Sequence, residues 1–320
     1  MTASLARADA PALTGRPAPL RMLWITAALG ACFLLIQWGL RDAPLLWFAA
    51  LRALLGGAAL AAVALWQRRP LPPAGGAWVK IVVLGVVNVS LAFAAMFAGV
   101  AGLATGVAAV LANAQPLLIL LPGWWLFRER ITARTGMALL VGSGGLLMVA
   151  LPGGGGSGAL LSLLAAVAVT TGTLIVRTLG GLDVVVTSAA HLLVGGLVLA
   201  GAALAVEGPP DISWTPRFVL VLSFLGLVAT AATTLAWFVE AQRSALSSLT
   251  MWMFLIPVFG LLLGMVVLGE RPGPWTGVGI ALVLVAMLLA LTQQPVPGAG
   301  PPGVLCAACR PDATTTEDAH

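Results

Sequence analysis

Charge is scarce in this chain, and its scarcity excludes most soluble classes. Of 320 residues only 8% are Asp, Glu, Lys or Arg, whereas 60% are hydrophobic and the mean hydropathy is +1.05; a soluble globular domain carries roughly a quarter charged residues. Histidine is nearly absent, with His191 alone apart from the C-terminal His320, and no H-E-x-x-H zinc motif occurs. No G-x-S-x-G nucleophile elbow occurs. The glycine run at 153–156 is followed by no Lys-Ser/Thr pair, which excludes a P-loop. Three cysteines give no disulfide framework: Cys32 lies in an apolar run, and Cys306 and Cys309 form a lone C-x-x-C, two ligands short of a zinc site. No metal or cofactor is expected, and no enzymatic activity.

What is present is apolar sequence in long runs. Spanning hydrocarbon takes about 20 residues of helix, and ten stretches qualify: 22–40, 44–66, 78–99, 102–127 and 133–151, then 159–177, 184–206, 216–239, 244–268 and 274–292. The expected fold class is therefore an all-α integral membrane protein of ten transmembrane helices. The segment 152–158, Pro-Gly-Gly-Gly-Gly-Ser-Gly, reads as a linker between two halves. Residues 1–21 are polar, Pro-rich and without an apolar core, so they read as a cytoplasmic tail and not a signal peptide. Residues 293–320 cannot bury a core and read as a disordered tail.

The 16 basic residues stand singly or in twos between apolar runs, which argues against a nucleic-acid partner and makes them topology signals. With the N-terminus inside, twelve fall on the cytoplasmic side: Arg7, Arg16, Arg21, Arg68, Arg69, Lys80, Arg128, Arg130, Arg134, Arg177, Arg243 and Arg310. Only Arg41, Arg52, Arg217 and Arg271 fall toward the other side. Basic loops stay cytoplasmic, so both termini are expected inside a cell membrane crossed many times.

The chain also repeats. Shifted by 141 residues, Leu84-Gly85 falls on Leu225-Gly226, Phe97 on Phe238, Pro116 on Pro257, Glu129-Arg130 on Glu270-Arg271, and Thr135-Gly136 on Thr276-Gly277. Shifted by 139, Leu54 falls on Leu193, Gly56-Gly57 on Gly195-Gly196, and Arg52 on His191. A repeat of five helices, an odd number, enters the membrane from the opposite face the second time. Inverted repeats of this kind are an architecture of alternating access.

A proline in the fourth helix, an acidic-basic pair at that helix's end and a glycine seven residues after the acid, all present twice, resemble the EamA type of the drug/metabolite transporter superfamily. Ala49-Ala50-Leu51-Arg52 matches the small-aliphatic-arginine pattern of that family's second helix. The resemblance covers about residues 22–292 and implies a ten-helix transporter, with export favoured over import. It departs at Leu29-Gly30, where the family often carries Trp-Gly, so no role for that tryptophan can be transferred.

Candidate site residues follow from polarity near the midplane. Asn88 and Ser90, Asn113 and Gln115, Thr170 and Thr171, and Thr230, Thr233 and Thr234 are the polar side chains there. Thr230, Thr234 and Trp237 recur at i, i+4 and i+7, on one helix face. The amides of Asn88, Asn113 and Gln115 can donate and accept together, which suits a neutral or zwitterionic substrate, with interhelical bonding as the alternative. Pro116 and Pro257 each release the carbonyl four residues earlier, on Ala112 and Met253, and are candidate helix breaks. Arg52 and His191, each about two turns into its helix, are the ionisable residues clearly inside the membrane and are candidates for gating; snorkelling of Arg52 toward Asp42 is the alternative. No acid lies near the midplane, so lipophilic cations are expected to be poor substrates. The expected partners are a small molecule, such as an amino acid, and the lipid bilayer. A multidrug exporter or a structural or receptor protein is the competing reading.

Overall fold

The computed structural model describes residues 17–102, 111–112, 115–118, 133–150, 157–244, 248–249, 252–269 and 274–291. Among these residues the fold is helical, with no β-sheet. Helix α1 (Pro19–Gly39) starts on a proline in its first turn, where a missing N–H costs nothing. It is followed by α2 (Leu45–Trp66). The Pro70-Leu71-Pro72-Pro73 stretch cannot continue a helix, and α3 (Gly76–Leu84) begins after it. A π-helical stretch, Gly85–Leu91, carries α3 directly into α4 (Ala92–Gly102). Next come α5 (Gln115–Leu118) and α6 (Ala133–Ala150).

The second part runs through α7 (Ser157–Arg177) and α8 (Val184–Val206), the latter capped by the Asp183 side chain. Helix α9 (Pro216–Ser223), capped by the Thr215 hydroxyl, passes through a second π-helical stretch, Phe224–Ala232, into α10 (Thr233–Arg243). A 3-10 turn at Trp252–Phe254 leads into α11 (Leu255–Leu268), and α12 (Pro274–Leu291) follows.

Among the described residues six helical segments are long and apolar enough to cross a membrane: Pro19–Gly39, Leu45–Trp66, Gly76–Ala101, Leu160–Arg177, Val184–Val206 and Pro216–Arg243. Their outward faces carry large apolar side chains, among them Leu65, Trp66, Leu160, Leu197 and Leu220. Such a surface is unstable in water but is what hydrocarbon requires, with every backbone group satisfied inside the helix.

Two boundaries differ from the sequence expectation. Helix α7 begins at Ser157, inside the expected linker, because Gly158 packs beside Gly99 of α4 and tertiary contact holds the first turn in place. Ser244, expected to open the ninth span, instead ends α10 in extended backbone; its N–H donates to the Glu240 carbonyl and its own carbonyl accepts from Arg177. The expected site residue Asn113, the pairs Glu129-Arg130 and Glu270-Arg271, and the Cys306/Cys309 pair lie outside the described residues.

Glycines set how closely the helices approach, and they do so in matched pairs. A methyl group on Gly57 of α2 would strike Leu193 of α8 at 2.9 Å, and one on Gly196 of α8 would strike Leu54 of α2 at 2.8 Å. One on Gly56 would meet Gly226 O at 2.9 Å and the Thr230 side chain; one on Gly195 would meet Gly85 O at 2.5 Å and the Val89 side chain. Each partner in one contact is the residue that the sequence shift pairs with its counterpart in the other. Small residues allow this proximity where no hydrophobic effect drives helices together.

Among the described residues, ion pairs sit at the helix ends. Asp42, after α1, receives two hydrogen bonds from Arg217 Nη2 at 2.8 and 2.9 Å, so it is not available to Arg52. Near it Glu207 accepts from the backbone N–H groups of Leu46 and Trp47. At the other end of α1, Arg21 pairs with the fully buried Glu240 at 2.7 Å, and Arg243 pairs with the same carboxylate. Arg69 pairs with Asp183 at 2.9 Å. Residues 21 and 42 are separated by roughly 30 Å of helix at 1.5 Å per residue, about the thickness of the hydrocarbon layer.

Candidate functional site

Between these charged ends the helices enclose a cavity of about 160 Å³. A cavity of about 150 Å³ accommodates benzene, so this one has room for a small metabolite. Its walls are mostly apolar, with Phe33, Phe93, Met96, Phe238 and Ile256 among them, and a few polar groups converge on it. That combination of apolar walls and sparse polar groups is typical of small-molecule sites.

Arg52, on α2, is one of the lining residues and is 2% exposed. Its Nε donates to Thr230 Oγ1 at 2.7 Å, and its Nη2 reaches Ala229 O at 3.4 Å and Cys32 Sγ at 3.6 Å. The guanidinium carbon lies 4.6 Å from the centroid of the Phe93 ring, a cation–π distance. Nη1 has no hydrogen-bond partner. No carboxylate among the described residues contacts this guanidinium.

The two π-helical stretches meet at this cavity. The first contributes Asn88, and the second contributes Ala229 and Thr230. A π turn adds a residue to the helical repeat and re-aims the side chains that follow, and such turns occur often at functional sites. The sequence carried no visible mark of them beyond the shared Leu-Gly at their starts.

The cavity brings together Arg52, Asn88, Gln115, Thr230, Thr234 and Trp237. Gln115 Nε2 donates to Thr173 Oγ1 at 2.9 Å, which fixes the amide against α7. Ala112 and Met253, the residues whose carbonyls the two prolines release, both line the cavity. Pro257 is buried in the first turn of α11, and Pro116 is the second residue of α5.

Other candidates lie elsewhere. Ser90 Oγ donates to Gly195 O at 2.9 Å, tying the first π-helical stretch to α8. Thr170 and Thr171 bond back to Ala166 O and Val167 O within their own helix. His191 does not line the cavity: its Nδ1 lies 3.0 Å from Thr187 O, and its ring stacks on Phe238 at 5.1 Å. Behind Phe238, which does line the cavity, it occupies an outer position.

Thr233, one of the midplane threonines, also lines the cavity, as do Cys32 and Thr173, which sequence reasoning passed over. A helical-face reading finds them. Asn88, Ala92 and Met96 recur at i, i+4 and i+8, as do Ala165, Val169 and Thr173, and Leu29 stands one turn before Cys32 and Phe33. Leu29 thus occupies the wall at the position where the family pattern often has tryptophan, while Gly30 lets α1 approach Phe259 and Ile256 of α11.

Outside the spans, Asp183 illustrates how the helix ends are held. Burial raises its carboxyl, but the N–H groups of Val186 and Val185 and the Arg69 guanidinium outweigh this, so the group sits below the ordinary aspartate range.

The model of the EamA-like transporter family matches residues 20–151 and again 156–292. A chloroplastic WAT1-related protein of Arabidopsis thaliana is 29% identical over 75% of this chain, which spans 61% of that relative's length. An uncharacterized transporter of Synechocystis is 26% identical, covering 83% of this chain and 86% of its own. Protein PecM of Dickeya dadantii is 26% identical over 78% of this chain and 83% of its own. A solved crystal structure superposes with a TM-score of 0.72 at 20% identity, covering 85% of this chain and 98% of the other, a likeness of fold. The apolar helices, the mostly apolar cavity with its few polar groups, and two family matches spanning most of the sequence lead to one conclusion: the chain belongs to the EamA-like transporter family and is a multi-pass membrane transporter.

Proposed function

We propose that the protein exports a small neutral or zwitterionic metabolite, such as an amino acid, by alternating access. The observation that carries this reading is the composition of the cavity: hydroxyls, amides, an indole and one guanidinium line it, and no described carboxylate does. A buried cationic substrate would lack a counter-charge, and an unpaired charge away from water is costly. Small multidrug exporters, a related family, use a membrane carboxylate for that purpose.

The proposed architecture is ten helices in two halves, residues 22–151 and 159–292, with opposite orientation in the membrane. Its support is the reciprocity of the glycine contacts between α2, α8 and the two π-helical stretches, since each contact has a counterpart under the sequence shift. Both termini are placed in the cytoplasm on the twelve-to-four distribution of basic residues. The helix breaks at Pro116 and Pro257 serve as pivots for the change of access.

Proteoliposomes loaded with amino acids, a sugar or a quaternary ammonium dye test the reading. Saturable efflux of amino acid above that of empty liposomes is expected. Saturable dye efflux with no amino-acid or sugar movement would overturn it in favour of multidrug export.

A further inference from the structure

Arg52 holds the one charge that the cavity presents, and its surroundings leave that charge unanswered. A guanidinium stays protonated in proteins and offers five N–H donors in a fixed plane. Here Nε and Nη2 are bound to neutral acceptors only, a threonine hydroxyl, a backbone carbonyl at 3.4 Å and a thiol at 3.6 Å. Nη1 is buried and has no acceptor among the described residues. The Phe93 ring face steadies the cation without neutralising it.

The nearby acids are committed elsewhere. Asp42 is taken by Arg217, Glu207 by the first N–H groups of α2, Asp183 by Arg69 and the start of α8, and Glu240 by Arg21 and Arg243. An ionisable group at membrane depth without a protein partner marks a substrate or ion path. The structural alternative, a guanidinium spent on packing, leaves Nη1 unexplained.

We infer that Arg52 is the anchor for a carboxylate on the transported molecule, so that the substrate class is small monocarboxylates, amino acids included, and not polyols or amides. This rests on the reading of the cavity as the substrate site. One guanidinium balances one negative charge, and among the described residues no second cation lines the cavity, which disfavours phosphate esters carrying two. The Asn88 amide, the Thr234 hydroxyl and the Trp237 indole, which make no hydrogen bond to a described residue, are left for the uncharged or ammonium end of the molecule. Thr230 holds the guanidinium in place and is a positioning residue.

The test uses the full chain purified in lipid nanodiscs and titrated with phenylacetate and with phenylacetamide, its near-isosteric neutral analogue, read by calorimetry. The same chain in proteoliposomes reports amino-acid efflux. Wild type is expected to bind the acid at least about tenfold more tightly than the amide, the scale of one charge-assisted hydrogen bond. Arg52→Gln should abolish that preference, while Arg52→Lys, which keeps the charge and loses the fork, should retain part of it. Equal affinity for acid and amide in wild type overturns the inference, whether or not the variants fold, and so does a preference that survives in Arg52→Gln. If the preference behaves as expected but no amino acid leaves the liposomes, the carboxylate anchor stands and the amino-acid reading fails. If amino acids move and Arg52→Gln leaves the acid-over-amide preference intact, the reverse holds.

Discussion

Replacing Gly195 with alanine adds a single methyl group where α8 meets the first π-helical stretch, and the structure sets its cost. The new Cβ would stand 2.5 Å from Gly85 O and closer still to Val89 Cβ, against a comfortable carbon contact of about 3.5–4.0 Å. Neither neighbour can swing away, since one is backbone and the other is the branch point of a β-branched side chain with a restricted χ1. The helices must therefore separate by about 1 Å or more. Overpacking of this kind typically costs about 1–3 kcal/mol, set against a gain of about 1 kcal/mol in helix propensity. Because both contacts are immovable, we place the net loss near 2 kcal/mol.

Gly201 lies on the same helix with nothing within 4 Å of its added methyl, so Gly201→Ala should gain up to about 1 kcal/mol. Gly56→Ala should fall between them, as its Cβ meets Gly226 O at 2.9 Å and Thr230 Cγ2 at 3.0 Å. It also presses on the side chain of the threonine whose hydroxyl holds Arg52. Reversible unfolding in mixed detergent micelles, followed by circular dichroism, ranks the three variants. A Gly195→Ala protein as stable as Gly201→Ala would refute the close approach of these helices.

Four further outcomes follow from other contacts. Arg217→Met should destabilise by about 1–2 kcal/mol in the same assay, because it strands the buried Asp42 carboxylate; the figure is set below that for a fully buried pair because the Arg217 side chain is 46% exposed. Asp183→Ala should cost about 1 kcal/mol at neutral pH through the lost cap. The Asp183 carboxyl is held low in the folded state, so its ionic contribution is complete above the unfolded-state value and fades as pH falls below about 5; the wild-type and Asp183→Asn melting curves should converge on the acid side. Pro257→Ala should express normally and transport more slowly, since it restores a helix hydrogen bond next to the cavity, and wild-type turnover would remove the pivot. His191→Gln should leave the substrate KM within about threefold, because the ring lies outside the cavity, while an altered pH profile of transport would mark the position as a gate.

The described helices were legible because apolar runs of about 20 residues and proline breaks act locally, while the ends at Ser157 and Ser244 depend on tertiary contacts. Arg52 stood out for the same reason, as a charge inside an apolar run. Its surroundings did not: Thr230 is 178 residues away in sequence, and nothing local says that Asp42, ten residues before Arg52, faces Arg217 instead. The π-helical stretches were hidden as well, since their residues have ordinary helical composition and the wide turn is imposed by packing against glycines of the neighbouring helix. Cys32 and Thr173 were overlooked because a thiol in an apolar run and a threonine bonded to its own helix carry no sign of the cavity they border.

The matched glycine contacts have one mismatch in their contents. Where Gly56 leans on Thr230, its counterpart Gly195 leans on Val89, and where Arg52 stands in one helix, His191 stands in the other. The threonine hydroxyl accepts a hydrogen bond from the guanidinium N–H, and the valine side chain has no acceptor. The frame is thus close to even-handed while the polarity inside it is not. Under the alternating access proposed above, a cargo held at Arg52 by a single charged end would keep one heading while the walls around it exchange roles.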